Sequence, residues 1–106
     1  MDDPVQAQVD AYNARDIDAF VAAYDADVVI TDANGRAIMS GEETIRDEYG
    51  ALFEASPDLQ AEIVARLRTG HWTVDHERVS RGGETREVLV AYQVADGLIT
   101  RVLLLG

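Results

Sequence analysis

The chain has 106 residues, no cysteine, and a formal net charge of −11 that comes from 20 acidic and 9 basic side chains. All nine basic residues are arginine, so a Schiff base on lysine is excluded. The absence of cysteine excludes thiol and disulfide chemistry. The strong acidity argues against nucleic acid and anionic lipid as partners, because both require a positive patch.

Length and composition predict one globular domain spanning residues 1–106, since 47% of the residues are hydrophobic. No apolar run is longer than the six residues 19–24, which is too short to cross a bilayer. Residues 1–4 are acidic and lack the basic start and apolar stretch of a signal peptide. We therefore expect a protein that works in the cytoplasm.

Three helices are predicted in the first half of the chain. Asp3 and Asp16 are suitable N-caps for the first two, and Ser40 with Glu43 forms a capping box that predicts the third. Pro57 ends the third helix. The apolar stripes are Val5, Val9 and Tyr12 in the first helix, Ile17, Phe20, Val21 and Tyr24 in the second, and Ile45, Tyr49, Leu52 and Phe53 in the third.

Strands dominate the rest of the chain. A β-branched segment at residues 28–31 predicts one strand, and a period of two from Leu59 onward predicts four antiparallel strands. The last of them, residues 98–105, is apolar on both faces, so it is either central in a covered sheet or part of a subunit interface. Helices grouped before a meander predict an α+β fold, in which a twisted sheet wraps the helices around a conical pocket.

The strand that begins after Gly70 carries the most polar candidates. One of its faces holds Trp72, Val74, His76 and Arg78, and the other holds Thr73, Asp75, Glu77 and Val79. We expect the first face to line the pocket, because two carboxylates on the second face would be hard to desolvate together. A solvent-facing His76 and the opposite register both remain open.

Several segments resemble the nuclear-transport-factor-2-like superfamily, and they extend over nearly the whole chain. They are residues 12–20 (YNARDIDAF), 28–32 (VVITD), 40–41 (SG) with 45–49 (IRDEY), and 92–99 (YQVADGLI). The superfamily includes ketosteroid isomerases, polyketide cyclases of the SnoaL type, limonene-epoxide hydrolases and many proteins without known function. The resemblance implies a cystatin-like α+β cone, with three N-terminal helices packed in a strongly curved mixed or antiparallel sheet.

The functional positions of these relatives match only in part. Asp32 falls where ketosteroid isomerases have their general-base aspartate, but Gln8 stands at their oxyanion tyrosine and Val90 stands near their protonated acid. The arginine-x-aspartate of epoxide hydrolases corresponds to Arg78-Val79-Ser80, and their second catalytic aspartate corresponds to Leu103-Leu104. The resemblance therefore implies carboxylate chemistry at Asp32 without a complete site of either kind.

We accordingly predict a pocket for a small hydrophobic molecule, with Asp32 as general base and His76 and Arg78 orienting or polarising the substrate. The reaction would be an isomerisation, cyclisation or hydration without a cofactor. The alternative role for Asp32 is structural, in which its side chain only hydrogen-bonds the backbone of its own turn. The predicted walls are Tyr12, Tyr49, Phe53, Trp72 and Val90.

A non-catalytic homodimeric module that binds a ligand or partner is the alternative function, and the replaced positions Gln8, Val90, Ser80 and Leu103 favour it. In both cases the apolar last strand predicts a homodimer through the sheet. No metal site is expected, since His71 and His76 would face opposite sides of an extended strand.

Overall fold

The computed structural model describes residues 3–106; Met1 and Asp2, on which part of the signal-peptide argument depends, lie outside the described residues. The chain begins with helices α1 (Pro4–Ala14) and α2 (Ile17–Ala22). Both predicted N-caps are present, because the Asp3 carboxylate accepts from the Val5 and Gln6 amides and the Asp16 carboxylate accepts from the Ala19 amide. Tyr24 does not continue the second helix as its spacing suggested, but begins the first strand.

Two strands, β1 (Tyr24–Asp32) and β2 (Ala37–Ser40), come next along the chain. The third helix, α3 (Glu42–Ala55), follows them and precedes the other strands. Its predicted capping box is wrong. Gly41, at φ 85°, occupies the N-cap, and no side chain caps the helix because Ser40 still belongs to β2. The pairing of Ser40 with Val29 holds it in an extended conformation.

Six strands form one sheet in the order β2-β1-β6-β5-β4-β3, in which β3 is Gln60–Thr69, β4 is Trp72–Arg81, β5 is Glu84–Ala95 and β6 is Leu98–Leu104. The last four strands are antiparallel neighbours, as predicted, while β6 pairs in parallel with β1. The sheet is therefore mixed, and β6 is central. A central position explains why both faces of β6 are apolar.

The turn between β4 and β5 fixes which side chains enter the protein interior. Gly82 and Gly83 both have positive φ (59° and 82°), a conformation that suits a two-residue hairpin. The turn makes Arg81 the partner of Glu84, and the ladder then pairs Glu77 with Val88. Paired residues share a face of the sheet, and the apolar residues of β5 face inward. The odd-numbered residues of β4, which pair with them, therefore face inward too.

The helices pack against the concave face of this sheet. An aromatic cluster fills the space beneath α2 and α3, where Phe20 lies 4.7 Å from Tyr49 and 5.5 Å from Phe53 between ring centroids. The apolar side chains of β1 and β6, Ile30 and Ile99, are almost completely buried behind it. This cluster fills one part of the cone and leaves the part above β4 and β5 open.

Among residues 3–106, no helix is long and apolar enough to cross a membrane.

Candidate functional site

A cavity of about 340 Å³ lies between the three helices and the inner faces of β4 and β5. Its volume is at the lower end of the range for small-molecule sites. The lining is predominantly apolar and comes from every layer of the fold. The main lining side chains are Gln8, Val9, Tyr12, Phe20, Tyr49, Ala61, Glu77, Val79, Arg86, Val88, Val90, Tyr92 and Leu104.

The buried carboxylate on the wall of this cavity is Glu77, which is only 7% exposed. Glu87 also borders the cavity, but it is exposed and its carboxylate contacts His76. Its Oε2 accepts a hydrogen bond of 3.0 Å from the Tyr92 hydroxyl. The Tyr92 oxygen accepts from Gln8 Nε2 at 3.2 Å, and Gln8 Oε1 accepts from the Tyr24 hydroxyl at 3.4 Å. The four side chains form a hydrogen-bonded chain that runs in one direction and ends on the carboxylate.

The surroundings of Glu77 shift its protonation. Burial raises the pKa of the Glu77 carboxyl; the hydrogen bond from Tyr92 opposes this rise, the charge of Asp75 adds to it, and Arg66 opposes it. Burial also raises the pKa of Tyr92 well above its ordinary value, and that of Tyr49 to about 12. Both phenols are therefore protonated donors near neutral pH.

Asp75, on the same inner face of β4, is completely buried and has a different role. Arg66 of β3 binds both of its oxygens, at 2.7 and 2.9 Å, and donates a third bond of 2.8 Å to Gln6 of α1. This bidentate pair neutralises Asp75 and leaves Glu77 as the carboxylate that reaches the cavity. The pair also lowers the cost of burying Asp75 and Glu77 together, since only Glu77 then lacks a counter-ion.

The predicted orientation of β4 is therefore wrong. His76, Arg78 and Trp72 lie on the outer face of the sheet, away from the cavity. His76 Nε2 is 2.5 Å from Glu87 Oε1, and Arg78 binds Glu62 at 2.9 Å. Trp72 borders a separate cleft beside His71. The pairing of β4 with β5 determines this orientation, because the apolar face of β5 must be buried. The gain from burying that face outweighs the cost of burying carboxylates on β4.

Asp32 lies at the end of β1, outside the lining of the cavity. Its Oδ1 accepts two hydrogen bonds of 2.9 Å, from the amides of Asn34 and Arg36. The side chain therefore organises the turn to β2, as the alternative interpretation of this residue expected. The geometry does not bring Asp32 together with His76 or Arg78.

The structure separates the residues that were predicted as walls. Tyr12, Tyr49 and Val90 line the cavity, whereas Phe53 packs behind it against Tyr12, with ring centroids 5.6 Å apart. The sequence interpretation missed Glu77 as a cavity residue. The signal was present, because a two-residue turn at Gly82-Gly83 pairs position 77 with position 88 on the apolar face of β5.

Within residues 3–106, no group of three or more histidine or carboxylate side chains is arranged to hold a metal ion.

The three helices, the six-stranded mixed sheet and the open-mouthed cavity between them define a cystatin-type α+β cone, as predicted. The SnoaL-like domain family matches residues 5–102, and the chain belongs to that family. This membership also confirms the resemblance to the nuclear-transport-factor-2-like group. No curated protein matches the chain significantly.

Solved structures share the fold over nearly the whole chain. An uncharacterised cystatin-fold protein from Novosphingobium aromaticivorans is 27% identical, with a TM-score of 0.88 over 95% of this chain and 93% of the other. A proposed polyketide cyclase from Sinorhizobium meliloti is 24% identical, with a TM-score of 0.82 over 98% and 94%. A proposed ketosteroid isomerase from Kribbella flavida is 21% identical, with a TM-score of 0.79 over 96% and 73%. The last two likenesses concern the fold alone.

Proposed function

We propose that the cavity binds a small hydrophobic molecule and that Glu77 moves a proton on it, in a cofactor-independent isomerisation, cyclisation or hydration. The observation that carries the proposal is the buried carboxylate on the wall of an apolar cavity. Desolvation strengthens such a carboxylate as a base, because its charged form is less stable than in water. The family membership is consistent with this class of reaction.

The proposed step is proton abstraction beside a carbonyl group. Glu77 takes the proton from the carbon, the electrons of that C–H bond form an enolate, and the same carboxyl returns the proton at the same or another carbon. No oxidant or reductant is needed. Tyr12 and Tyr49 line the cavity and would donate hydrogen bonds to the enolate oxygen, which is the charge that most needs stabilisation.

Asp32 remains the alternative base that the sequence suggested. Its position outside the cavity and its two bonds to the backbone of its own turn favour Glu77 over it. Asp32→Asn is consequently a matched comparison for Glu77→Gln, since both replace a carboxylate with the amide of the same size.

The test is exchange of α-protons for deuterium in cyclohexanone and 2-decalone, followed by proton NMR in D₂O. We expect the wild-type protein and Asp32→Asn to accelerate exchange, and Glu77→Gln to leave only the buffer rate. Exchange that survives in Glu77→Gln but not in Asp32→Asn would return the base to Asp32. Absence of exchange with both ketones in the wild-type protein would favour the non-catalytic alternative.

A homodimeric module is the second candidate, and the outer face of the sheet favours it. Leu67 of β3 is 67% exposed there, and Leu89 of β5 and Leu105, which follows β6, are also exposed. Exposed apolar side chains on one face are typical of an interface. We therefore keep the homodimer as a proposal, to be measured by sedimentation velocity at micromolar concentration. The cytoplasmic location stays a prediction.

A further inference from the structure

The mouth of the cavity carries an unusual charge for so acidic a protein. Arg86 lines the cavity beside Tyr12 and Val79, and all three also border the adjoining cleft that includes Arg81. Arg86 is the register partner of Val79, which puts it on the inner face of β5. Two arginines therefore stand where a ligand would leave the apolar part of the site.

Neither arginine forms an ion pair within the described part of the chain. Four of the nine arginines pair with a carboxylate, namely the inner-face Arg66 and the exposed Arg46, Arg68 and Arg78. Arg15, Arg36 and Arg101 also form no ion pair within residues 3–106, so the feature that distinguishes Arg86 is its place on the cavity lining. With 20 acidic residues available, a guanidinium left without a partner at a cavity mouth is an available anion contact.

The neighbouring acidic groups do not cancel this contact. Glu87 also borders the cavity beside Arg86, but its Oε1 lies 2.5 Å from His76 Nε2 and 4.0 Å from an Arg78 nitrogen, both on the outer face. Glu84 borders the adjoining cleft together with Arg81 and Arg86, but it is exposed and forms no ion pair with either of them within residues 3–106. Burial and the charge of Glu77 raise the pKa of Tyr12, and Arg86 and Arg81 oppose that rise, so the charges of both arginines also act on the cavity wall.

We infer that Arg86 makes the cavity selective for an apolar molecule with a carboxylate at its outer end, an inference that rests on the proposed function. The apolar body occupies the space between Tyr49, Val88 and Val90, and its reactive end meets Glu77. The carboxylate stays at the mouth, where Arg86 can bind it through two parallel N–H groups while water still reaches it.

The experiment compares octanoate with 1-octanol, two ligands of the same chain length, by isothermal titration calorimetry. The measured quantity is the ratio of the two dissociation constants, in which general effects on the cavity cancel. We expect the wild-type protein to favour octanoate and Arg86→Gln to reduce this preference about 3- to 10-fold, as befits a partly solvated ion pair. The reduction should shrink as salt is added.

Arg101→Gln is the matched control, because Arg101 is exposed on β6, outside the lining of the cavity. It should leave the ratio unchanged. Val88→Trp, which fills the cavity with a larger side chain, should abolish binding of both ligands and so locate them there.

Two results would overturn the inference in distinguishable ways. Equal ratios in the wild-type protein and Arg86→Gln, with both ligands bound in the cavity, would remove the role of Arg86 and leave the proposed cavity function intact. Failure of both ligands to bind the wild-type protein would remove the cavity function and this inference with it.

Discussion

The Tyr92 hydroxyl donates a hydrogen bond to Glu77 across the concave face of the sheet. The residue paired with Tyr92 on β4 is nevertheless Thr73, four residues away from Glu77. The bond therefore depends on side chains that lean along the curved face, not on strand register alone. It joins a phenol that stays protonated to the carboxylate that reaches the cavity.

Tyr92→Phe should raise the pKa of Glu77 further, because the lost hydrogen bond favours the charged carboxylate. The pH profile of proton exchange would move to higher pH. We also expect a loss of about 1–3 kcal/mol in stability, since Gln8 Nε2 and Glu77 Oε2 lose their shared partner. Titration of the ¹³C-labelled Glu77 carboxyl by NMR measures the shift directly. Tyr24→Phe, at the other end of the hydrogen-bonded chain, is the control. An equal titration midpoint of Glu77 in wild type and Tyr92→Phe would contradict the prediction.

Glu77→Gln should stabilise the protein near neutral pH. The pKa of Glu77 is raised in the folded state from an ordinary value of 4.5, so the folded state binds this proton more tightly than the unfolded state. The contribution of Glu77 to stability therefore falls as pH rises from about 4.5 through the raised pKa. We expect Glu77→Gln to exceed wild type by about 0.5–2 kcal/mol at pH 7 and by less at pH 4, measured by urea unfolding.

Asp32→Asn serves as the control for that pH effect, because Asp32 lies in a surface turn. It removes one negative charge outside the cavity, so an effect that both variants share reflects net charge and not the burial of Glu77. A gain for Glu77→Gln that is equally large at both pH values would show that relief of the buried charge is not its cause.

Arg66→Met should be severely destabilising, by about 3–5 kcal/mol, because it leaves the fully buried Asp75 without its counter-ion. Arg68→Met, which removes an exposed pair with Asp3, should cost no more than about 1 kcal/mol. The double variant Arg66→Met with Asp75→Leu should recover much of the loss. Thermal unfolding of the four proteins measures these differences, and a single Arg66→Met variant as stable as Arg68→Met would refute the account.

Leu67→Glu should weaken the proposed homodimer at least about tenfold, because it puts a charge into an apolar face. Ala51→Glu, on the exposed side of α3, adds the same charge elsewhere and should leave association unchanged. Each copy carries a net charge of −11, so added salt should strengthen association of the wild-type protein. Sedimentation velocity gives these constants, and a wild-type monomer at every salt concentration would end the proposal.

The fold could be predicted because its signals are local. The caps at Asp3 and Asp16, the change of period at Leu59 and the glycine turns each act through neighbouring residues. The capping box at Ser40 failed because a non-local contact, the pairing of Ser40 in β2 with Val29 in β1, competes with it. Local signals do not report such competition.

The site was harder to predict because it depends on one choice of face. Desolvation cost argued against turning Asp75 and Glu77 inward, yet Arg66, nine residues before Asp75, neutralises one of them. That pairing joins two strands and cannot be read from β4 alone. The apolar face of β5, with Val88, Val90 and Tyr92, would have decided the question if the ladder had been counted back from the Gly82-Gly83 turn.

The directed chain from Tyr24 through Gln8 and Tyr92 has a consequence for where a transferred proton resides. Since Oε2 of Glu77 already accepts from Tyr92, a neutral Glu77 carries its proton on Oε1, which has no hydrogen-bond partner within residues 3–106. The fold thereby gives the carboxyl group two unlike oxygens, one anchored and one active. A ligand would exchange protons with the active oxygen only, so delivery would be confined to one face of the bound molecule and the reaction would be stereospecific.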